Sequence, residues 1–80
     1  MKKRLTKKES KLLEHVAFMY DIKRRMAAIQ DSEGNYYSEG FNEGYIVAML
    51  DILEHLEIIS EDESDNAFHN RTKKFNDLIY

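Results

Sequence analysis

Eighty residues make a single domain with room for only a small core, and the absence of Cys removes both disulfides and thiolate metal sites, as suits a cytoplasmic protein. The longest uninterrupted apolar run, Tyr45 to Leu50, has six residues where a membrane span needs roughly 20. The stretch from Leu5 to Lys11 is too charged to serve as the apolar part of a secretory signal.

The net charge of −3 conceals a segregation along the chain. Residues 1–25 hold nine Lys or Arg against three acids, and residues 26–70 hold eleven acids with no Lys or Arg. Arg71, Lys73 and Lys74 then stand against Asp77 alone. Such a distribution points to electrostatic binding, and says nothing of fold.

In chain order, Thr6 and Glu9 occupy the two positions of a capping box, so a first helix is expected over residues 7–30. Leu5, Leu12, Met19 and Met26 recur every seven residues, with Val16, Ile22 and Ile29 close to that line. They predict its buried side. Leu13, Tyr20 and Ala27 form a flanking line, and Lys23 falls near the apolar centre, where its aliphatic stem can lie on the surface while its charge reaches water.

The polar cluster from Asp31 to Asn35 ends this helix. A second is expected over 39–59, with Ser38 as N-cap and Glu39 in the first turn. Phe41, Tyr45, Ala48, Met49, Ile52, Leu53, Leu56 and Ile59 share one face, which predicts the contact with the first helix. Ile46, Val47, Leu50 and Ile58 point elsewhere, among Glu43, Asp51, Glu54 and Glu57. A helix apolar on more than one side needs more than one neighbour. Gly40, Gly44 and Ala48 form a small-residue stripe along which another backbone could approach closely.

Ser60 and Glu63 offer a second capping box, but a start near Ser64 or Asp65 aligns Phe68, Thr72, Phe75 and Ile79 on one face, so a third helix is expected over 65–79. The fold class is therefore all-α, a small helical hairpin or three-helix bundle that self-associates, in one domain over 1–80 with connections of seven or eight residues.

Chemistry-bearing motifs are few. Set to the twelve-residue calcium loop, Asp31 as first residue puts Tyr36 at the required Gly and Asn42 at the required Glu, and Asp62 as first residue puts Ala67 and Lys73 there. His15, His55 and His69 fall on three separate segments outside any zinc or di-iron spacing, and Asp51 with His55 is better read as a surface pair. Neither a metal nor another cofactor is expected. Without a nucleophile elbow or a phosphate-cradling Gly loop, neither is catalysis.

The functional expectation is a protein-protein interaction or regulatory protein, a homodimer, that occludes a partner surface, in one version as an acidic mimic of DNA. Its contact residues are expected to be Glu43, Val47, Leu50, Asp51, Glu54, Glu57 and Ile58, where surplus apolar residues meet the anionic block. The alternative is a DNA-binding regulator that meets phosphates with Lys2, Lys3, Arg4, Lys7, Lys8, Lys11, Lys23, Arg24 and Arg25. The long connections speak against a helix-turn-helix, and pairing of the basic first helix with the acidic second is preferred.

Overall fold

A computed structural model describes residues 4–79, which form four helices and, among those residues, no strand. The helices are α1 (Lys7–Ser32), α2 (Tyr36–His55), α3 (Glu61–His69) and α4 (Phe75–Ile79). The Thr6 hydroxyl accepts from the Glu9 amide while the Glu9 carboxylate accepts from the Thr6 amide, so α1 begins with the expected box.

The first connection is much shorter than expected. Gly34, at φ +76°, takes the left-handed conformation in which a helix turns back on its own carbonyls. Its amide donates to Asp31 O, and the next amide, of Asn35, donates to Gln30 O at 2.8 Å. Asn35 then serves α2 as N-cap, its side chain accepting from Ser38 N. One residue thus closes α1 and opens α2 in place of Ser38, and the connection is only residues 33–35. The loop-length objection to a helix-turn-helix therefore fails. The helices nonetheless lie side by side and antiparallel, as Lys23 over Tyr45, Arg24 with Glu43 and Gln30 with Asn42 show.

The end of α2 repeats the device without glycine. Glu57 sits at φ 60°, its amide bonded to Glu54 O, and the Ile58 amide returns to Leu53 O at 2.9 Å. This motif stops α2 at His55 instead of residue 59 and swings Ile58 and Ile59 into the core. Ser60 and Glu63 then form the capping box of α3.

The third expected helix is two helices. Asn70 breaks it, with an extended backbone and a side chain that organises the next turn: Oδ1 accepts from the amides of Thr72 and Lys73, and Nδ2 donates to Lys73 O and to the Tyr20 hydroxyl. The chain redirects there and packs α4 against α1 and α3. Tyr20, Ile46, Leu53, Ile58 and Phe75 are fully buried at the centre, each worth about 1.5–3 kcal/mol of burial.

The core faces differ from the expected ones. On α1 it is the flanking line of Leu13, Tyr20 and Ala27, with Val16 and Ala17, that is buried; Leu5, Leu12 and Met19 pack at its edge, and Met26 and Ile29 are exposed. On α2 the buried residues are Asn42, Ile46, Met49, Leu50 and Leu53, while Phe41, Tyr45, Ile52 and Leu56 face outward. Packing of α3 and α4 on one side of the hairpin rotates both helices toward that side.

Two stability outcomes follow. Glu57→Gly removes a side chain from a left-handed position and a negative charge from a helix C-terminus, and should raise the urea midpoint by the equivalent of about 0.5–1 kcal/mol. Tyr20→Phe withdraws the hydroxyl shared by Ala67 O and Asn70, and should lower stability by about 1–2 kcal/mol with helical content unchanged.

Candidate functional site

Three surfaces gather the residues that could contact another molecule. The first is a hollow of about 290 Å³ between α2 and α3, lined by Val47, Leu50, Asp51, Glu54, Ser64, Asp65 and Phe68. Here Val47, Asp51 and Glu54 come together as expected, joined by Asp65 and Phe68 from α3. Leu50 and Ile58, at 2 % and 1 % exposure, belong to the core and offer nothing to a partner. Leu50 is the floor of the hollow, and Ile58 is withdrawn by the turn at Glu57.

Glu43 is also committed within the chain: its Oε1 lies 3.3 Å from Arg24 Nη1 and 3.9 Å from Arg71 Nη2. The neighbouring Glu39 carboxyl is held above the ordinary carboxylate range, by partial burial first and then by Asp31 and Glu43, with Arg71 acting the other way.

The second surface is the side of the hairpin away from α3 and α4. Along α2, Tyr37, Phe41, Tyr45, Ala48, Ile52 and Leu56 form one exposed stripe, with Phe41 at 69 %, Ile52 at 50 % and Leu56 at 45 % exposure. Met26 of α1 is exposed, and the Lys23 ammonium sits 4.9 Å above the Tyr45 ring, a cation–π contact. Gly40 and Gly44 do not serve close packing within the chain, because a Cβ placed on either meets nothing within 4 Å. Ala48 beside them is exposed. The small-residue stripe is open surface.

The third surface takes apart the basic run Lys23, Arg24 and Arg25. Lys23 turns to the open face and Arg25 to solvent near the 70–74 turn, while Arg24, with a side chain 10 % exposed, turns inward to the Ala67 and Phe68 carbonyls and Glu43. Arg24 is thus withdrawn from any phosphate backbone. Arg4, Lys7, Lys8 and Lys11 are exposed at the start of α1; Lys2 and Lys3 lie outside the described residues.

Preferred pairing of the basic helix with the acidic one is realised at Arg24 and Glu43. Among the described residues no ion pair joins Lys7, Lys8 or Lys11 to Asp51, Glu54 or Glu57. Among those residues, too, no three His, Asp or Glu side chains converge as a metal site requires, and no helix is long and apolar enough to cross a membrane.

The open face is not legible in the sequence because Phe41, Tyr45, Ile52 and Leu56 recur at helical spacing, which ordinarily marks a core. Nor is the joining of Arg25 to the tail cations, because nothing local records a contact across some 50 residues. Leu50→Glu should therefore abolish cooperative unfolding and near-UV dichroism, placing a charge in the core. Val47→Glu should leave both intact, and equal tolerance of the two changes would refute the burial of Leu50. Comparison with known protein families, with characterised proteins and with solved structures finds no match for this chain.

Proposed function

We propose that this chain is a helical interaction protein that works by binding, not by catalysis, and that its open α1–α2 face docks a second copy of itself. One observation carries the proposal: of the large side chains left uncovered, Met26, Tyr37, Phe41, Tyr45, Ile52 and Leu56 gather on one side of the hairpin, whereas Phe18 borders α4 and Val47 and Phe68 border the α2–α3 hollow. At about 200 Å² for a fully exposed large side chain, the exposed fractions of Met26, Tyr37, Phe41, Tyr45, Ile52 and Leu56 amount to roughly 650 Å² per chain. Two such faces together exceed the ~1,000 Å² expected of a stable interface.

Charge favours a second copy as the occupant. Antiparallel pairing puts Lys7, Lys8 and Lys11 at the same end of the hairpin as Asp51, Glu54 and Glu57. A two-fold axis along the hairpin brings the basic start of α1 in one copy to the same end as the acidic end of α2 in the other, where Asp51 and Glu54, facing the α2–α3 hollow, act as a field at the rim of the interface. All four helices are then antiparallel to their neighbours. Gly44 and Ala48 leave room for close approach at the middle of α2.

Occlusion of a basic partner surface, as a regulator or an acidic DNA mimic, draws on the other side of α2. There Val47 and Phe68 offer an apolar floor between Asp51, Glu54 and Asp65, which fits an apolar anchor flanked by Lys or Arg. This contact leaves the open face free.

Analytical ultracentrifugation of the purified protein at 5–50 µM, on the order of typical dimer constants, tests the first contact. The intact chain should sediment as a dimer, and Phe41→Glu with Ile52→Glu as a folded monomer. Val47→Glu should remain dimeric, since it lies on the opposite flank. A wild-type monomer throughout that range, or a dimer lost through Val47 and kept without Phe41 and Ile52, would overturn the assignment.

A further inference from the structure

Beside α1, on the side that carries α4, the chain forms a hollow of about 200 Å³ lined by Asp21, Arg24, Arg25, Ala28, Arg71, Thr72, Lys73 and Lys74. Two basic runs nearly 50 residues apart meet there, in a protein whose net charge is −3. Five cations and one carboxylate share the lining. Glu43 lies behind and balances part of Arg24 and Arg71.

The groups divide by what already occupies them. Arg24 is engaged through both Nη atoms by Glu43 and the α3 carbonyls, and its Nε is buried without a partner, so it contributes field and no accessible donor. Arg71 Nη1 donates to Phe68 O and Asn70 O, which holds its guanidinium at the rim. Asp21 accepts from the Phe75 amide at 3.0 Å, which ties its charge to the start of α4. Among the described residues, the side chains of Arg25, Lys73 and Lys74 have no hydrogen bond or ion pair, and neither does the Thr72 hydroxyl.

The backbone that presents them is held in place. Asn70 accepts from two of its amides and donates to the Lys73 carbonyl, while its Nδ2 is anchored on Tyr20 in the core. A loop already ordered loses little entropy when it takes up a ligand. A planar guanidinium, two ammonium groups and a hydroxyl around one concavity match the several oxygens of a tetrahedral oxyanion.

We propose that this hollow is a binding site for a phosphate group, held by Arg25, Thr72, Lys73 and Lys74, with Arg24 and Arg71 supplying fixed positive potential. It lies away from the open α1–α2 face and does not depend on dimerisation. A free phosphate monoester and the 5′-phosphate of a nucleic acid strand present the same chemistry, and the two sources separate by how much a strand adds.

The test is a titration of the ¹⁵N-labelled full chain at 50 mM salt with inorganic phosphate, with a nucleoside monophosphate and with a 5′-phosphorylated oligothymidylate. Amide shifts should be confined to Arg25 and residues 71–74, and should weaken steeply as salt rises. Arg25→Gln combined with Lys74→Gln should weaken binding at least tenfold with the helical spectrum unchanged. Lys7→Gln combined with Lys8→Gln, which removes the same charge from the start of α1, should change it less than twofold.

An affinity for the oligonucleotide at least tenfold above that for the monophosphate identifies a strand as the ligand, and equal affinities identify a lone phosphate group; the site stands in both cases. It is overturned by absence of shifts in 71–74 at 20 mM phosphate, a concentration on the order of the weakest specific affinities. Equal losses in the two double variants would overturn it too, since they would show a diffuse response to net charge.

Discussion

Tyr20, Asp21 and Arg24 occupy a single turn of α1, and each reaches a group that helix geometry leaves without an internal partner. The last carbonyls and first amides of any helix are orphans, and α3 and α4, at nine and five residues, are too short to persist on propensity alone. Tyr20 and Arg24 donate to the carbonyls that end α3, and Asp21 accepts from the amide that begins α4. A cation at the C-terminus of one helix and an anion at the N-terminus of the next also suit their dipoles. The Tyr20 ring meets Phe75 at a centroid distance of 5.2 Å, which adds apolar contact to the polar one.

From this turn the remaining geometry follows. With α3 and α4 anchored to one side of the hairpin, Ile46, Leu50, Leu53, Ile58 and Phe75 close a core there and the opposite side keeps its aromatic and aliphatic stripe. The same anchoring carries Arg71, Lys73 and Lys74 next to Arg25. Acidic α2 and α3 and basic α1 are thereby reorganised into an acid-rimmed hollow, an apolar face and a basic hollow. These lie on different sides of a molecule 41 × 19 × 17 Å in extent.

Features decided within four residues of chain were legible from the start. The Thr6 box starts α1 where the sequence puts it, and the Ser60 box starts α3 ahead of the start that alignment of Phe68 with Phe75 predicts. That alignment assumed a continuous helix. Asn70 interrupts it with a side chain whose partners include Tyr20, a contact invisible without the fold. The end of α2 was misplaced because Glu57 adopts a conformation usually marked by glycine. Of the expected contact residues, Val47, Asp51 and Glu54 remain at a surface together, whereas Leu50 and Ile58 do not.

By itself, the sequence determined an all-helical chain, the place where α1 starts, the acidic and basic blocks, and the excess of apolar residues on the second helix, because each depends on composition or on neighbours one helical turn apart. Only the tertiary structure decided which face of that helix is core. A helix apolar on several sides has no inward direction until neighbours pack on it, and the neighbours here are placed by hydrogen bonds between residues 43 to 54 positions apart. The surface that α2 offers is therefore Phe41, Tyr45, Ile52 and Leu56 on one side and the hollow beneath Val47 on the other, in place of a patch centred on Leu50.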